Sequence, residues 1–207
     1  MSGSCEIFCG GDPVGREVYE AARVKDALRI AADSGYRLCE ALGVRPDIVV
    51  GDFDSSDKPE GVNVLTYPVR KDDTDLMLAV REGLRRGADS FTVFGATGGR
   101  LDHTFAAVQS LAFLLDNGAS GRIVSENERI FLLDPGSHTV PAFEGFTLSL
   151  FAYSPEVGGL TLAGTDYPAQ DITLGSGFPL GVSNHFAGLE AGISFRSGRL
   201  LVICSRE

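Results

Sequence analysis

The chain has 207 residues, of which 43% are apolar, and this excludes a largely disordered polypeptide and leaves room for one or two domains with a real core. Its formal net charge is −10 and no basic patch appears, which argues against nucleic acid or an anionic membrane surface as a partner. The four cysteines, Cys5, Cys9, Cys39 and Cys204, contain no CxxC pair and fit no zinc spacing, and Cys5 and Cys9, in an apolar opening segment, are expected as buried thiols. No signal peptide is read before the first strand, and no apolar run approaches the roughly 18–20 residues of a membrane span. A reducing cytoplasm is the expected location.

Taken in order, residues 5–9 read as a short buried strand that ends in Gly10-Gly11. That pair either cradles a phosphate or closes a strand–helix connection, and the sequence favours neither. A helix is expected over 14–25, a strand over 28–33 ending in Asp33, and a helix from Ser34 to Leu42 with Leu38, Cys39 and Leu42 at helical spacing. A third strand, Ile48-Val49-Val50, runs into Gly51-Asp52-Phe53-Asp54-Ser55. A buried strand delivering two carboxylates at its carboxyl end makes a hard-oxygen site suited to Mg²⁺, although Gly and Asp also form ordinary turns. Residues 62–65 are read as a fourth strand.

Lys71-Asp72-Asp73-Thr74-Asp75 then leads into an amphipathic helix carrying Leu76, Leu78, Ala79, Val80 and Leu84. One capping acid satisfies the free N–H groups and the macrodipole; three acids and a threonine exceed that need. Residues 90–94 form a fifth strand that runs into Gly95-Ala96-Thr97-Gly98-Gly99-Arg100-Leu101-Asp102-His103 and a further helix. Glycines admit an anion close to backbone N–H groups, and Arg100 offers a fork for phosphate oxygens. The Gly-Lys-Ser/Thr of a Walker A loop is absent. On a chain this acidic an anionic substrate needs a metal to offset repulsion, which favours a Mg²⁺–nucleotide over a bare phosphate.

The alternation changes near residues 117–121. Beyond it come short strands and turns, at 122–125, 129–133, 147–153, 160–162, 193–196 and 200–204, with no long helical pattern. The expected fold class is α/β: an N-terminal Rossmann-like parallel-sheet domain over 1–120, then an all-β sandwich over 121–207.

In this order and spacing, Ala32-Asp33-Ser34-Gly35, Gly51 to Ser55, Lys71 to Asp75, Gly95 to His103 and Gly181-Val182-Ser183-Asn184 resemble the thiamine pyrophosphokinase family from about residue 30 onward. The resemblance implies an ATP- and Mg²⁺-binding first domain, a thiamine-binding and dimerising second domain, and a homodimer whose thiamine site is shared between subunits. It implies transfer of the pyrophosphoryl group of ATP to thiamine, giving thiamine diphosphate and AMP. By the same resemblance Asp52, Asp54 and Asp75 hold Mg²⁺ against the polyphosphate. Lys71, Asp72, Thr74, Gly98, Gly99 and Arg100 lie along the phosphates, Asp33 beside the nucleotide, and Asp102 at the reacting end of thiamine. Ser183 and Asn184 come from the partner subunit and hydrogen-bond the pyrimidine.

Three features depart from or complicate that pattern. His185 stands where the family commonly has Glu. No tryptophan is present, so an aromatic platform falls to Phe178, Phe186 or Tyr167. His103 invites a catalytic reading, but a histidine that packs or hydrogen-bonds locally beside the helix cap is the favoured one. Two rival readings use the same acids: a Mg²⁺-dependent phosphohydrolase with an Asp-x-Asp nucleophile, and a non-catalytic nucleotide- or thiamine-binding module. The first leaves the β domain unexplained; the second sits poorly with a full set of candidate metal ligands.

Overall fold

The apolar runs of the first half become parallel strands because the elements joining them cover both faces of one sheet. The computed structural model describes residues 3–51, 63–66 and 73–206. In the first half lie β1 (Gly3–Phe8), α1 (Arg16–Ala22), β2 (Leu28–Ala32), α2 (Gly35–Leu42), β3 (Ile48–Gly51), β4 (Asn63–Thr66), α3 (Asp75–Arg85), β5 (Ala88–Phe94), α4 (Leu101–Asp116) and β6 (Ser120–Val124). Their strands run in the order β6-β5-β1-β2-β3-β4, and every neighbouring pair is parallel.

One face of this sheet packs Phe8, Ala31, Val49 and Phe94 against Tyr19 of α1 and Leu38 of α2. On the other face helix and sheet meet closely. A methyl group on Gly83 of α3 would lie 2.5 Å from the Phe91 ring, and one on Gly121 would lie 2.5 Å from Leu114 of α4. Strands covered on both sides carry no polar alternation, which is why they read as continuous apolar runs. Glu6 is the exception. It is fully buried in β1, and its carboxylate accepts from Val24 N at 2.6 Å, Arg29 Nε at 3.2 Å and Tyr19 OH at 3.3 Å. A buried acid is tolerated only when it is paired and hydrogen-bonded in this way.

The second half holds β7 (Glu128–Leu133), β8 (Gly136–Pro141), β9 (Thr147–Ala152), β10 (Glu156–Ala163), β11 (Ala169–Gly175), β12 (Gly181–His185), β13 (Glu190–Phe195) and β14 (Leu200–Ser205). Within it β12-β9-β14-β7 and β11-β10-β13-β8 form two antiparallel arrays. Leu148, Leu150, Leu160, Ile193, Phe195 and Val202 share one core. The architecture is thus mixed α/β with a large sheet containing parallel strands, followed by antiparallel β structure.

The chain divides into two units after Glu126. The sequence expectation sets the boundary near residue 120; the difference arises because β6 pairs in parallel with β5. Three strands escaped the sequence reading: β8, β11 and β12. All three lie at the edges of their arrays. Edge strands face water along one side and carry the polar and proline residues that obscure strand patterning.

Helix α3, which starts at Asp75, is pinned at its far end by Glu82. That side chain is 4% exposed and accepts from Arg85 at 2.8 Å twice and from Arg86 at 2.6 Å. The arginine hydrogen bonds outweigh burial and hold its carboxyl down to about 2, against an ordinary 4.5. A lowered folded-state pKa gives stability that is present above the unfolded value and lost as pH falls through the folded one. Replacing Glu82 with Gln should therefore cost about 2 kcal/mol at neutral pH and flatten the decline in stability between about pH 5 and about pH 2. Urea melts across that range test this; parallel curves for the two proteins would show that Glu82 is not the source of the decline.

Candidate active site

From β1 the chain moves outward through β2 and β3 to β4, then returns to the other side of β1 as β5. The connections leaving the carboxyl ends of β1 and β5 therefore diverge, which opens a crevice at a topological switch point. Backbone bonds set its geometry. Cys9 N donates to Phe94 O at 2.8 Å, Gly11 N to Gly95 O at 2.7 Å, and Asp12 N to Thr97 O at 2.8 Å. The two glycine loops are thereby laced together. A Cβ on Gly11 would stand 2.5 Å from Thr97 O and 2.6 Å from Gly95 O, so only glycine permits the approach.

The result is a cavity of about 460 Å³ whose lining includes Gly11, Asp33, Thr74, Asp75, Gly98 and Arg100. Gly99 and His103 line it as well. Sequence reasoning had singled out Asp33, Thr74, Asp75, Gly98, Gly99 and Arg100, which come from three separate connections and meet here. The expected site residues Asp52, Asp54, Lys71 and Asp72 lie outside the described residues.

Each acid near α3 has its own use. Asp73 pairs with Arg81, whose Nε donates at 2.8 Å, and Arg81 in turn lies 4.7 Å over the Phe113 ring. Thr74 caps the helix, its hydroxyl oxygen accepting from Met77 N at 3.2 Å. The hydroxyl proton remains available to a phosphate oxygen. Burial, with the charge of Asp75 adding to it, pushes the Cys9 thiol up to about 12. Cys9 lines the cavity but stays a thiol, unfit as a nucleophile or metal ligand.

Asp33 adopts a left-handed backbone with φ of 45° and is tied by its N–H to Val50 O at 2.7 Å. A Cβ on Gly51, the last residue of β3, would stand 3.5 Å from the Asp33 carboxylate. Asp33 and Asp75 thus supply two hard oxygen donors to one cavity, a donor set that fits Mg²⁺ and not a soft metal. Among the described residues no group of three or more His, Cys, Asp or Glu side chains forms a metal cluster.

Arg100 and Asp102 form a two-pronged pair, Nε to Oδ1 at 3.1 Å and Nη2 to Oδ2 at 2.6 Å. His103 N adds a 3.0 Å bond to Oδ1. The guanidinium holds the Asp102 carboxyl below the usual carboxylate range. Both side chains are exposed, and Asp102 is not part of the cavity wall, whereas His103 is. The fork expected for phosphate is thus paired with the acid expected for thiamine.

In the second unit Ser183 is exposed with φ of 56°, and its N–H donates to Ser149 Oγ at 3.0 Å. Asn184 is buried. Its Oδ1 accepts from Tyr167 N at 3.0 Å and its Nδ2 donates to Tyr167 O at 2.8 Å. The amide expected to read a pyrimidine is therefore used first to fix the backbone of Tyr167. That tyrosine, 74% exposed, lines a second cavity of about 500 Å³ with Leu150, Leu174, Leu180 and Val182. Phe178 is also exposed, while Phe186 packs against the core. His185 is exposed at the end of β12.

Two family models match in succession. That for the catalytic domain of thiamin pyrophosphokinase covers residues 19–120, and that for its vitamin B1 binding domain covers residues 137–200. The chain belongs to the thiamine pyrophosphokinase family. It is 29% identical over 188 residues to a thiamine pyrophosphokinase of Bacillus subtilis strain 168, covering 87% of this chain and 88% of that one. Among solved structures, a thiamine pyrophosphokinase from Bacillus subtilis superposes with a TM-score of 0.90 at 26% identity, over 99% of both chains. A thiamin pyrophosphokinase from Geobacillus thermodenitrificans gives a TM-score of 0.86 at 28% identity, over 99% of this chain and 98% of that one.

The match to the family's catalytic domain falls within the first unit and takes in the loop from Gly95 to Arg100 but not residues 9–12, and the vitamin B1 match falls within the second. Sequence reasoning left Gly10 and Gly11 undecided and did not assign Cys9, Ser34, Ala106 or Ala107 to the site. Their signal is the strand order, which sequence periodicity does not carry. Replacing Asp75 with Ala should abolish turnover, a loss of at least about 100-fold, while leaving the melting temperature within a few degrees. Steady-state kinetics beside a thermal melt reads both; normal activity in the variant removes Asp75 from the metal-binding assignment.

Proposed function

We infer that the protein is a thiamine diphosphokinase that transfers the pyrophosphoryl group of ATP to the hydroxyl of thiamine, giving thiamine diphosphate and AMP. The observation that carries this reading is the cavity at the β1–β5 switch point, where glycine loops, Arg100 and Asp75 converge within a chain of this family. The sheet order, with the ligand crevice where the strand order reverses, supports the Rossmann-like description of the first unit. Neither rival reading is favoured, because both units match the same family.

In the reaction the thiamine oxygen attacks the β-phosphorus, the bond from that phosphorus to the oxygen bridging the α-phosphate breaks, and AMP departs with that oxygen. Positioning and charge neutralisation supply most of the rate in such transfers. Asp75, together with Asp52 and Asp54 by family resemblance, would hold Mg²⁺, which would supply positive charge to offset that of the polyphosphate. The Gly98 and Gly99 backbone and the Thr74 hydroxyl face the phosphate oxygens. By family resemblance Lys71 and Asp72 are assigned to the nucleotide as well, and Asp33 lies beside it. Arg100 exchanges Asp102 for phosphate, which releases Asp102 to orient thiamine and receive the hydroxyl proton. Ser183 offers its hydroxyl to the pyrimidine, and Asn184 holds Tyr167 as the aromatic surface.

A homodimer with shared thiamine sites suits the apolar surface that each unit exposes. Leu101 and Phe105, one turn apart on α4, are 70% and 66% exposed, and Tyr167, Phe178 and Leu180 are uncovered in the second unit. Four buried free cysteines suit a reducing cytoplasm, and among the described residues no helix is long and apolar enough to cross a membrane. The test is ³¹P NMR of the protein with ATP, Mg²⁺ and thiamine. AMP and a new diphosphate ester that appear only with thiamine are the expected result. ADP with thiamine monophosphate would overturn attack at the β-phosphorus, and free phosphate without thiamine would indicate a hydrolase.

A further inference from the structure

The acid nearest the glycine loops is one to which neither the motifs nor the catalytic scheme gives a role. Asp12 follows Gly11, and its N–H donates to Thr97 O at 2.8 Å. This bond turns its side chain onto the opposite loop. A Cβ built on Gly98 would fall directly on the Asp12 carboxylate, so carboxylate and Gly98 backbone are in contact. Gly98 has a left-handed φ of 80°, and Gly99 has one of 59°. Both glycines line the cavity. Asp12 is exposed, and among the described residues no cation pairs with its carboxylate.

An uncompensated negative charge thus rests on the loop that is shaped to receive negative phosphate. Capping a helix does not explain it, since α1 begins four residues later and its N-cap is Gly15. Metal ligation by Asp12 is not supported either, because it stands outside the lining that contains Asp33 and Asp75. We infer that Asp12 is a charge filter on the glycine loops, a specificity-determining residue that disfavours nucleotide arriving without its metal. This inference rests on the nucleotide reading of the cavity.

The physics is a difference of repulsions. Metal-free polyphosphate carries roughly two more negative charges than its metal complex, so a fixed carboxylate a few ångströms away penalises it more. Because the carboxylate is exposed, salt screens this repulsion. The filter matters for the chemistry because nucleotide bound without metal occupies the site unproductively.

The test compares the parent protein with Asp12→Asn, a nearly isosteric change of an exposed side chain, by isothermal titration with ATP, once in EDTA and once in Mg²⁺. The variant should bind metal-free ATP about tenfold tighter than the parent, yet Mg²⁺-ATP within about threefold of it. The difference should shrink as salt is raised. Equal shifts for both forms of ATP, or none for either, would overturn the filter while leaving the nucleotide site in place. Weaker binding of Mg²⁺-ATP alone would overturn it by making Asp12 a metal ligand. Failure of the parent to bind Mg²⁺-ATP at all would overturn the nucleotide reading and this inference with it.

Discussion

The lacing of the loops after β1 and β5 is the constraint on which the site depends. Three short backbone hydrogen bonds, from Cys9, Gly11 and Asp12 to Phe94, Gly95 and Thr97, hold two connections together at the point where the strand order reverses. Without that lacing the glycine loop preceding α4 has no partner to fix its left-handed residues. With it, Gly98, Gly99 and Arg100 face the same space as Asp33 and Asp75. Because the bonds run between backbone groups, the geometry tolerates side-chain change around it but not a Cβ at Gly11.

Charge is distributed so that each acid near the cavity does separate work. Asp73 is spent on Arg81, Glu82 on Arg85 and Arg86, and Glu6 on Arg29 and the β1–α1 face. Asp102 is paired with Arg100. Asp33 and Asp75 are the described acids in the cavity wall.

Much of this was legible in the sequence, and what was not has definite causes. The strand–helix alternation and the motif residues could be read because buried parallel strands and helix caps leave local signatures. Thr74 and Asp75 at the start of α3, and Gly98 to Arg100 before α4, are examples. The edge strands β8, β11 and β12 could not, since a strand with one side in water needs no apolar run. Nor could the use of Asn184, whose partner Tyr167 lies in the connection between β10 and β11. The role of the Gly10-Gly11 pair depends on β5 returning beside β1, a contact between residues more than eighty positions apart.

We propose that the laced glycine loops and Asp75 form a polyphosphate site. The most direct test is a crystal structure with Mg²⁺ and a non-hydrolysable ATP analogue. The account predicts phosphate density against the backbone of Gly98 and Gly99, metal density on the Asp75 carboxylate, and an Arg100 guanidinium released from Asp102. Phosphates bound elsewhere, with the Arg100–Asp102 pair intact and Asp75 uncoordinated, would contradict it.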